Sequence, residues 1–252
     1  MKSGAQLYTV REFTQTLEDF SETLKKVADM GYTTVQVSGT CAYDPEWLKG
    51  ELDKNGLVCA ITHSDLMRIA REPQQVAAEH AVFGCRYIGM GFLGDLYGNP
   101  AAVPAFIERY AEPAKVLKRA GAKLMYHNHG YEFMKANGVT LLQRLANAFP
   151  ADELGFTLDS YWVQYAGGDP AQWAEILSGR VDCVHIKDMK FDGTKPQMAY
   201  IGEGNMNIDG FLTACQRAGT QYVLVEQDDC QDRDPFWCLK QSYDCLKAHG
   251  LE

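Results

Sequence analysis

The chain lacks any long apolar segment. None of its 252 residues lies in a run that approaches the roughly 20 apolar residues that a membrane-spanning helix needs. Its first twelve residues, MKSGAQLYTVRE, also lack the apolar core of a secretory signal peptide. These two absences predict a soluble cytoplasmic protein without a membrane partner.

Positive charge is scarce as well. The chain has 24 Lys and Arg residues against 33 Asp and Glu residues, which gives a formal net charge of -9. A surface of this sign repels the phosphate backbone of nucleic acids and the headgroups of anionic membranes. Nucleic acid is therefore not expected as a partner.

The eight cysteines do not include a Cys-x-x-Cys pair of the kind found in zinc and redox motifs. Several of them, among them Cys59, Cys85 and Cys183, lie inside apolar runs. Because no secretion signal is present, reduced thiols that act as small hydrophobic residues are favoured over disulfides.

No Gly-x-Gly-x-x-Gly sequence follows the first predicted strand, which weakens the case for a doubly wound nucleotide-binding sheet. Instead, apolar runs of strand length alternate without a break with amphipathic runs of helix length. The predicted strands are 5–10, 33–39, 58–64, 86–92, 122–129, 154–160, 181–188 and 221–228. Eight strand-then-helix units in about 250 residues are typical of a (β/α)8 barrel. We therefore predict one TIM-barrel domain that spans residues 1–252.

The alternation of side chains along the last four strands separates the barrel interior from the face that packs against helices. In the sixth strand Leu154, Phe156 and Leu158 are expected to face the helices, which turns Asp159 inward. The same argument turns further polar side chains inward near the ends of strands five, seven and eight: His127, His129, His185, Lys187 and Glu226.

Imidazole and carboxylate groups are thus predicted to meet at the C-terminal end of the barrel, where barrel active sites form. Histidine nitrogens and carboxylate oxygens without a thiolate suit a divalent ion such as Mn²⁺, Mg²⁺, Zn²⁺ or Co²⁺. For any single residue, a helix cap or a hydrogen-bonded core histidine is the simpler alternative. Four such groups at matching depth on consecutive strands favour a metal site.

Four motifs carry a resemblance to a known family: YHNHGYEF at residues 126–133, and the TLDSYW, VHIKD and VEQD segments that follow it. The chain resembles the sugar phosphate isomerase/epimerase family of xylose isomerase-like TIM barrels, and its HNHxxEF subgroup in particular. The resemblance covers nearly the whole chain. It implies four ligands for a divalent metal: Glu132, Asp159, His185 and Glu226.

The resemblance also implies an activity, that of a metal-dependent sugar or cyclitol isomerase or epimerase. Such an enzyme removes a proton next to a carbonyl and passes through an enediolate. His127 or His129 is the expected proton acceptor, because an imidazole can take and return a proton near neutral pH; either histidine is also open as a substitute metal ligand. Lys187 is expected to hold a substrate oxygen or to stabilise developing negative charge.

Two further residues at strand ends, His63 and Trp162, are predicted to contact the substrate. Core packing is an equally good explanation for Trp162. The loops after strands seven and eight have no arginine cluster or glycine-rich phosphate cradle, which disfavours a phosphorylated sugar. A homo-oligomer is compatible with the sequence.

Three other functions stay open. A lyase with the same enolate chemistry is favoured somewhat by the histidine-rich fifth strand; it would be an inosose dehydratase or an enzyme that eliminates the aglycone from a 3-keto-glycoside. An endonuclease IV-like nuclease would need ligands for three metals and a basic surface, which six histidines and a net charge of -9 do not favour. A barrel that only binds a sugar would not require the full ligand set.

The longest connection, residues 189–207, lies between the seventh strand and its helix. It contains Gly193, Pro196, Gly202 and Gly204, a composition typical of an ordered active-site loop or a mobile lid. A tolerated surface insertion is the alternative.

Overall fold

The protein is described here by a computed structural model that covers residues 1–92 and 99–251. Its strands are β1 (Lys2–Gln6), β2 (Thr34–Val37), β3 (Val58–His63), β4 (Tyr87–Met90), β5 (Lys123–His127), β6 (Lys135–Ala136), β7 (Val139–Thr140), β8 (Leu154–Asp159), β9 (Cys183–Ile186), β10 (Asp188–Phe191), β11 (Pro196–Ala199) and β12 (Tyr222–Val225). Strands β1 to β5, β8, β9 and β12 form a closed barrel, while β6 with β7 and β10 with β11 form two small hairpins. All barrel pairings are parallel, including that of β12 with β1. The predicted (β/α)8 barrel is confirmed.

The helices flank the barrel. They are α1 (Leu17–Asp29), α2 (Pro45–Asn55), α3 (Leu66–Arg71), α4 (Pro73–Val82), α5 (Val103–Arg119), α6 (Leu141–Ala148), α7 (Ser160–Tyr165), α8 (Pro170–Ile176), α9 (Ile208–Ala218) and α10 (Pro235–Ala248), with short 3₁₀ helices at Leu7–Phe13, Pro100–Ala102 and Tyr131–Phe133. Three helices begin at Asp-Pro sequences, where Asp44, Asp169 and Asp234 accept hydrogen bonds from first-turn N–H groups. No helix within the two described ranges is both long and apolar enough to cross a membrane.

The prediction of the first strand was wrong for residues 7–10 and missed residues 2–4. The strand covers Lys2–Gln6, and Leu7–Phe13 forms a 3₁₀ helix instead of continuing it. The Gln6 side chain accepts a hydrogen bond from the backbone N–H of Tyr8, at 2.9 Å, and so favours the turn. Buried apolar residues continue beyond Gln6 into this turn, which is why the sequence alone predicts a strand there. The other seven barrel strands lie within their predicted ranges.

The barrel interior and the layer between barrel and helices are two separate cores. The interior core is small and consists of Ala60, Ile61, Tyr87, Met125, Cys183 and Leu224. The outer core includes Leu154, Phe156 and Leu158, as the alternation argument predicted. Gly155 faces inward, where a Cβ would lie 2.5 Å from the sulfur of Met125, so no larger residue fits there without a shift.

The N-terminal end of the barrel is closed by a polar plug. The Lys123 ammonium lies 2.6 Å from Asp182 Oδ2, and the Tyr87 hydroxyl donates to Asp182 Oδ1 at 3.1 Å. The eight cysteines are free thiols. The side chains of His127, Asp159, His185 and Glu226 lie at the opposite, C-terminal end of the interior.

The long connection after β9 is ordered by one carboxylate. Residues Asp188–Phe191 and Pro196–Ala199 pair as an antiparallel hairpin. The buried Asp188 accepts hydrogen bonds from backbone N–H groups on both sides of the hairpin. Among the described residues, none from this connection lines the main cavity at the barrel mouth, so its role as an active-site loop stays a prediction.

Candidate metal centre

Four buried side chains from four consecutive barrel strands converge at the C-terminal end of the barrel. They are His127, Asp159, His185 and Glu226, and one nitrogen or oxygen from each lies within 4.8 Å of all the others. The register brings them together: Asp159 and His185 are direct neighbours across β8 and β9, and Leu224, two residues before Glu226, pairs with His185.

Two carboxylate oxygens form the centre of this cluster. His127 Nε2 lies 3.2 Å from Asp159 Oδ2, and His185 Nδ1 lies 2.8 Å from Glu226 Oε2. His185 Nδ1 is also 3.7 Å from Asp159 Oδ2. Two imidazole nitrogens and two carboxylate oxygens are a donor set that suits a divalent transition ion.

The outer nitrogens of both histidines have acceptors that fix the rings as metal ligands require. His127 Nδ1 lies 3.0 Å from the carbonyl oxygen of Gly91, and His185 Nε2 lies 2.7 Å from Gln36 Oε1. Since a carbonyl oxygen can only accept, these nitrogens carry the protons when the rings are neutral, and the lone pairs face the cluster. A metal-binding histidine almost always has such a partner. The residues present therefore fit a bound divalent ion.

The two carboxylates are also fixed by hydrogen bonds, which their other oxygens accept. Asp159 Oδ1 accepts from the backbone N–H of Trp162 at 3.0 Å and so caps α7, while Oδ2 faces the cluster. Glu226 Oε1 accepts from Gln6 Nε2 at 3.0 Å. Asp159 is thus both the helix cap that was the simpler alternative and a member of the cluster.

Two glutamines complete the support of this site. Gln36 contacts His185 through its side-chain oxygen, and Gln6 contacts Glu226 through its side-chain nitrogen. Neither glutamine was predicted as a metal ligand or catalytic residue from the sequence. The signal that identifies both is their position: each is a buried polar residue at the end of a barrel strand, and they are register partners across β1 and β2.

Glu132 does not belong to the cluster. It lies in the 3₁₀ turn after β5, where Oε1 accepts from the Tyr126 hydroxyl at 2.7 Å and Oε2 accepts from the backbone N–H of His129 at 2.8 Å. Tyr126 faces the helix side of the barrel wall, which draws the carboxylate away from the interior. The strand-five member of the cluster is His127, one of the two histidines left open as a substitute ligand.

The Lys187 ammonium is surrounded by three carboxylates. Its Nζ is 3.0 Å from Asp159 Oδ2, 2.8 Å from Glu226 Oε2 and 2.8 Å from Asp228 Oδ2. Burial lowers the pKa of Lys187, but the three carboxylates outweigh burial and raise it above its usual value, so the group stays charged. Its backbone is held by Ser160, whose hydroxyl donates to Lys187 O and accepts from Lys187 N, both at 2.9 Å.

The cluster attracts positive charge of any kind. Burial lowers the pKa of His185, yet the charges of Glu226 and Asp159 raise it to about 9. Burial raises the pKa of Asp159, but Lys187 and the neighbouring imidazoles pull it well below its usual range. A buried pair of ionised carboxylates therefore demands cations, which a proton, an ammonium or a divalent ion can supply.

A cavity of about 410 Å³ opens above the cluster. It is lined by Tyr8, Ser38, His63, Gly91, Phe92, His127, His129, Lys187, Glu226 and Asp228. This volume is within the range of small-molecule sites. Lys187 is the one cationic side chain among the described residues of the lining, and three carboxylates already surround it, so the cavity offers no free charge for a phosphate.

The structure brings His63 and His129 into this lining. His63 Nδ1 is 2.9 Å from the Ser38 hydroxyl, and burial, followed by the charge of His127, keeps its pKa well below the usual value. Burial and His127 likewise lower the pKa of His129 to about 3, so the ring is neutral at pH 7. Within the described ranges, neither His63 Nε2 nor His129 Nδ1 has a hydrogen-bond partner.

Trp162 is not part of the cavity lining. The centroid of its ring lies 5.6 Å from the centroid of the His129 ring and 5.9 Å from Lys187 Nζ. This position supports the walls of the site, which is closer to the core-packing alternative than to direct substrate contact.

The buried carboxyl of Glu132 gives a prediction about stability and pH. Burial raises its pKa to about 7 from the usual 4.5, against the opposing effect of its hydrogen bonds. The folded state therefore binds this proton more tightly than the unfolded chain, so this group's contribution to stability is largest below pH 4.5 and falls as the pH rises to about 7. In Glu132→Gln this fall, of about 3 kcal/mol, should be absent.

Urea denaturation of the wild-type protein and of Glu132→Gln between pH 5 and pH 8 measures this effect. It appears as the difference between their free energies of unfolding as a function of pH. Glutamine can accept from the His129 N–H and donate to the Tyr126 hydroxyl, so the variant keeps its contacts. Parallel curves would contradict the prediction.

Comparisons with known proteins agree with this architecture. A family model described as a xylose isomerase-like TIM barrel matches residues 24–247. The inosose dehydratase of Geobacillus kaustophilus (strain HTA426) is 22% identical in a 194-residue alignment that covers 68% of this chain and 62% of that protein. The chain thus aligns with less than two thirds of this relative's length.

Solved structures share the fold over nearly the whole chain. A sugar phosphate isomerase/epimerase from Parabacteroides distasonis ATCC 8503 matches with a TM-score of 0.81 at 22% identity, covering 98% of this chain and 94% of the other. The IOLI protein, solved with a bound zinc atom, matches with a TM-score of 0.73 at 13% identity, covering 98% and 97%. At such identities the likeness shows the fold alone.

Proposed function

Because the chain belongs to the xylose isomerase-like TIM barrel family, whose members include isomerases, epimerases and dehydratases, we propose that it is a divalent-metal-dependent isomerase or epimerase of a sugar or cyclitol. The observation that carries this proposal is the convergence of His127, Asp159, His185 and Glu226 at the floor of the cavity. Their two imidazoles make Mg²⁺ the least suited of the four ions expected, because Mg²⁺ prefers oxygen ligands. Mn²⁺, Zn²⁺ and Co²⁺ accept mixed nitrogen and oxygen sets, and the zinc of the IOLI protein is consistent with this choice.

The bound ion would supply a positive charge that stabilises the negative charge on the substrate oxygens when the neighbouring carbon loses its proton. Lys187 would donate hydrogen bonds to the same developing charge. His127 would serve as a ligand, because its cluster-facing nitrogen is 3.2 Å from Asp159 Oδ2 and its other nitrogen is bound to Gly91 O.

We assign the proton acceptor to His129. It lines the cavity, its ring is neutral at pH 7, and Nδ1 has no partner in the part of the chain that the structure describes. Asp228 is a further cavity group that can carry the proton, since burial and the charge of Glu226 raise its pKa to about 6, close to neutral pH. An isomerase needs a group that returns the proton as well as one that removes it.

The substrate is expected to be uncharged. Its hydroxyl groups would meet His63, Ser38 and the Lys187 ammonium, while Tyr8 and Phe92 offer apolar ring surface. A phosphorylated sugar would bring its charge next to Asp228 and Glu226 without a free cation to meet it.

The test is proton exchange with solvent. Protein loaded with Mn²⁺ and incubated in D₂O with a panel of ketoses, inososes and 3-keto-glycosides should place deuterium at the carbon next to the carbonyl of one of them, detected by NMR. His129→Gln should lower this exchange at least about a hundredfold with bound metal retained. Absence of exchange into every member of the panel would reject the proposed reaction.

A lyase of the same family is the second candidate. The relative named inosose dehydratase favours it, as does the histidine rather than a carboxylate at the strand-five position of the cluster. The same incubation separates the two functions, because a lyase releases water or an aglycone and an isomerase returns an isomer. A nuclease is not supported, since the described residues provide one cluster of potential metal ligands.

A further inference from the structure

Lys187 and the expected metal ion need the same oxygen atoms. The Lys187 ammonium is 3.0 Å from Asp159 Oδ2 and 2.8 Å from Glu226 Oε2. These are the two oxygens on which His127 Nε2 and His185 Nδ1 converge. The ammonium thus lies against the donor atoms themselves and not on an outer edge of the site.

An ion and an ammonium compete for these oxygens. A divalent ion binds a carboxylate oxygen at roughly 2.0–2.3 Å, and two cations on the same pair of oxygens repel strongly in a buried site. A charged ammonium has no lone pair and cannot itself be a ligand, so it opposes the ion for as long as it stays on these oxygens. Ion binding is therefore expected to move the Lys187 Nζ away from both carboxylates.

Asp228 can pair with the ammonium after it leaves Asp159 and Glu226. Its Oδ2 is 2.8 Å from Lys187 Nζ, yet it is not part of the four-residue cluster. Asp228 lines the cavity and its side chain is 25% exposed, against 1% for Lys187. The flexible stem of a lysine allows the small movement that keeps one of the three contacts and gives up two.

We propose that Lys187 is an exchangeable counter-ion of the metal site: the incoming ion displaces its ammonium from Asp159 and Glu226, and Asp228 retains the displaced ammonium at the cavity wall. The inference rests on the proposed function, because it presupposes that the cluster binds a divalent ion. Two consequences follow. Lys187 weakens ion binding, and Asp228 strengthens it by stabilising the ammonium in its displaced position.

The direct test is the affinity for Mn²⁺, measured by isothermal titration calorimetry at one fixed pH. Lys187→Gln should lower Kd by at least about tenfold, because no ammonium has to be displaced from the buried carboxylates. Lys190→Gln is the matched control: it removes the same charge three residues further on, where the ammonium pairs with Glu203, and it should leave Kd within about twofold. Equal Kd values for the two variants would overturn the inference.

A double-mutant cycle tests the role of Asp228. Asp228→Asn should raise Kd in the wild-type background and change it less in the Lys187→Gln background, where there is no ammonium to retain. An equal effect in both backgrounds would mean that Asp228 acts only through its charge, and would overturn its assigned role.

The wild-type protein provides a measurement that does not depend on the folding of a variant. Acetylation of Lys187 by acetic anhydride, followed by peptide mass spectrometry, should become faster when Mn²⁺ is saturating, because the ammonium moves to the exposed side. An unchanged rate would contradict displacement. If wild-type protein binds no ion, the proposed function fails as well; if it binds and Lys187→Gln makes no difference, only this inference fails.

Discussion

Asp159→Asn is expected to remove bound metal and to lower kcat/KM by more than about a hundredfold, because loss of a group that merely orients a ligand already costs 10–100-fold. Two imidazoles of the cluster and the Lys187 ammonium converge on Asp159 Oδ2, at 3.2 Å from His127, 3.7 Å from His185 and 3.0 Å from Lys187. An amide nitrogen at this position would face those groups with a donor in place of an acceptor.

The substitution leaves the local fold intact. The asparagine oxygen at the Oδ1 position can still accept from the Trp162 N–H and cap α7, and asparagine is as good a cap as aspartate. Loss of metal in Asp159→Asn would therefore report on the site and not on the start of the helix.

Metal content per chain, measured by mass spectrometry after loading and desalting, decides which residue of the HNHxxEF motif is the fourth ligand. His127→Gln should lose the ion together with Asp159→Asn, while Glu132→Gln should keep it, since Glu132 is bound to Tyr126 and His129 N. The reverse pattern would mean that Glu132 moves into the site when the ion binds. A protein that keeps the ion in Asp159→Asn would reject the cluster as the metal site.

The contrast between Asp159 and Glu132 also indicates how far the sequence could predict this site. Within a strand the two-residue alternation fixes which way a side chain points, so Asp159, His185 and Glu226 could be assigned to the interior from their apolar neighbours. Glu132 lies in a turn after the strand, where no such period applies. Its direction depends on the Tyr126 hydroxyl and the His129 N–H, two contacts that only the folded chain brings together.

The supporting residues were harder to predict for a related reason. Gln6 and Gln36 contact Glu226 and His185 over separations of 220 and 149 residues. These contacts exist because β1 closes the barrel against β12, and the closing register is not encoded in either strand alone. The alternation could predict that Gln36 faces inward, but not that His185 would engage it in place of a substrate hydroxyl.

A large effect on stability is also expected at Asp188, the residue directly after Lys187 and the first residue of β10. Its Oδ1 accepts from the N–H groups of Met189 and Met206, at 2.8 and 3.2 Å. Its Oδ2 accepts from those of Gly202 and Gly204, at 3.0 and 2.9 Å. A Cβ at Gly204 would lie 2.3 Å from the Asp188 carboxylate, so the loop approaches as closely as a glycine permits.

Asp188→Asn is expected to lower the free energy of unfolding by about 3 kcal/mol, because it places an amide donor against two of these four N–H groups, and each buried donor without an acceptor costs about 1–3 kcal/mol. Urea denaturation at pH 7 measures the change. Asp192→Asn is the control in the same connection: its carboxylate accepts from the N–H groups of Thr194 and Lys195, but it is exposed, so water can replace it and the cost should stay below about 1 kcal/mol. Equal losses in the two variants would mean that burial of Asp188 does not matter. A larger loss at Asp188 would establish that one buried carboxylate fixes the conformation of the connection 189–207, which follows it in the chain.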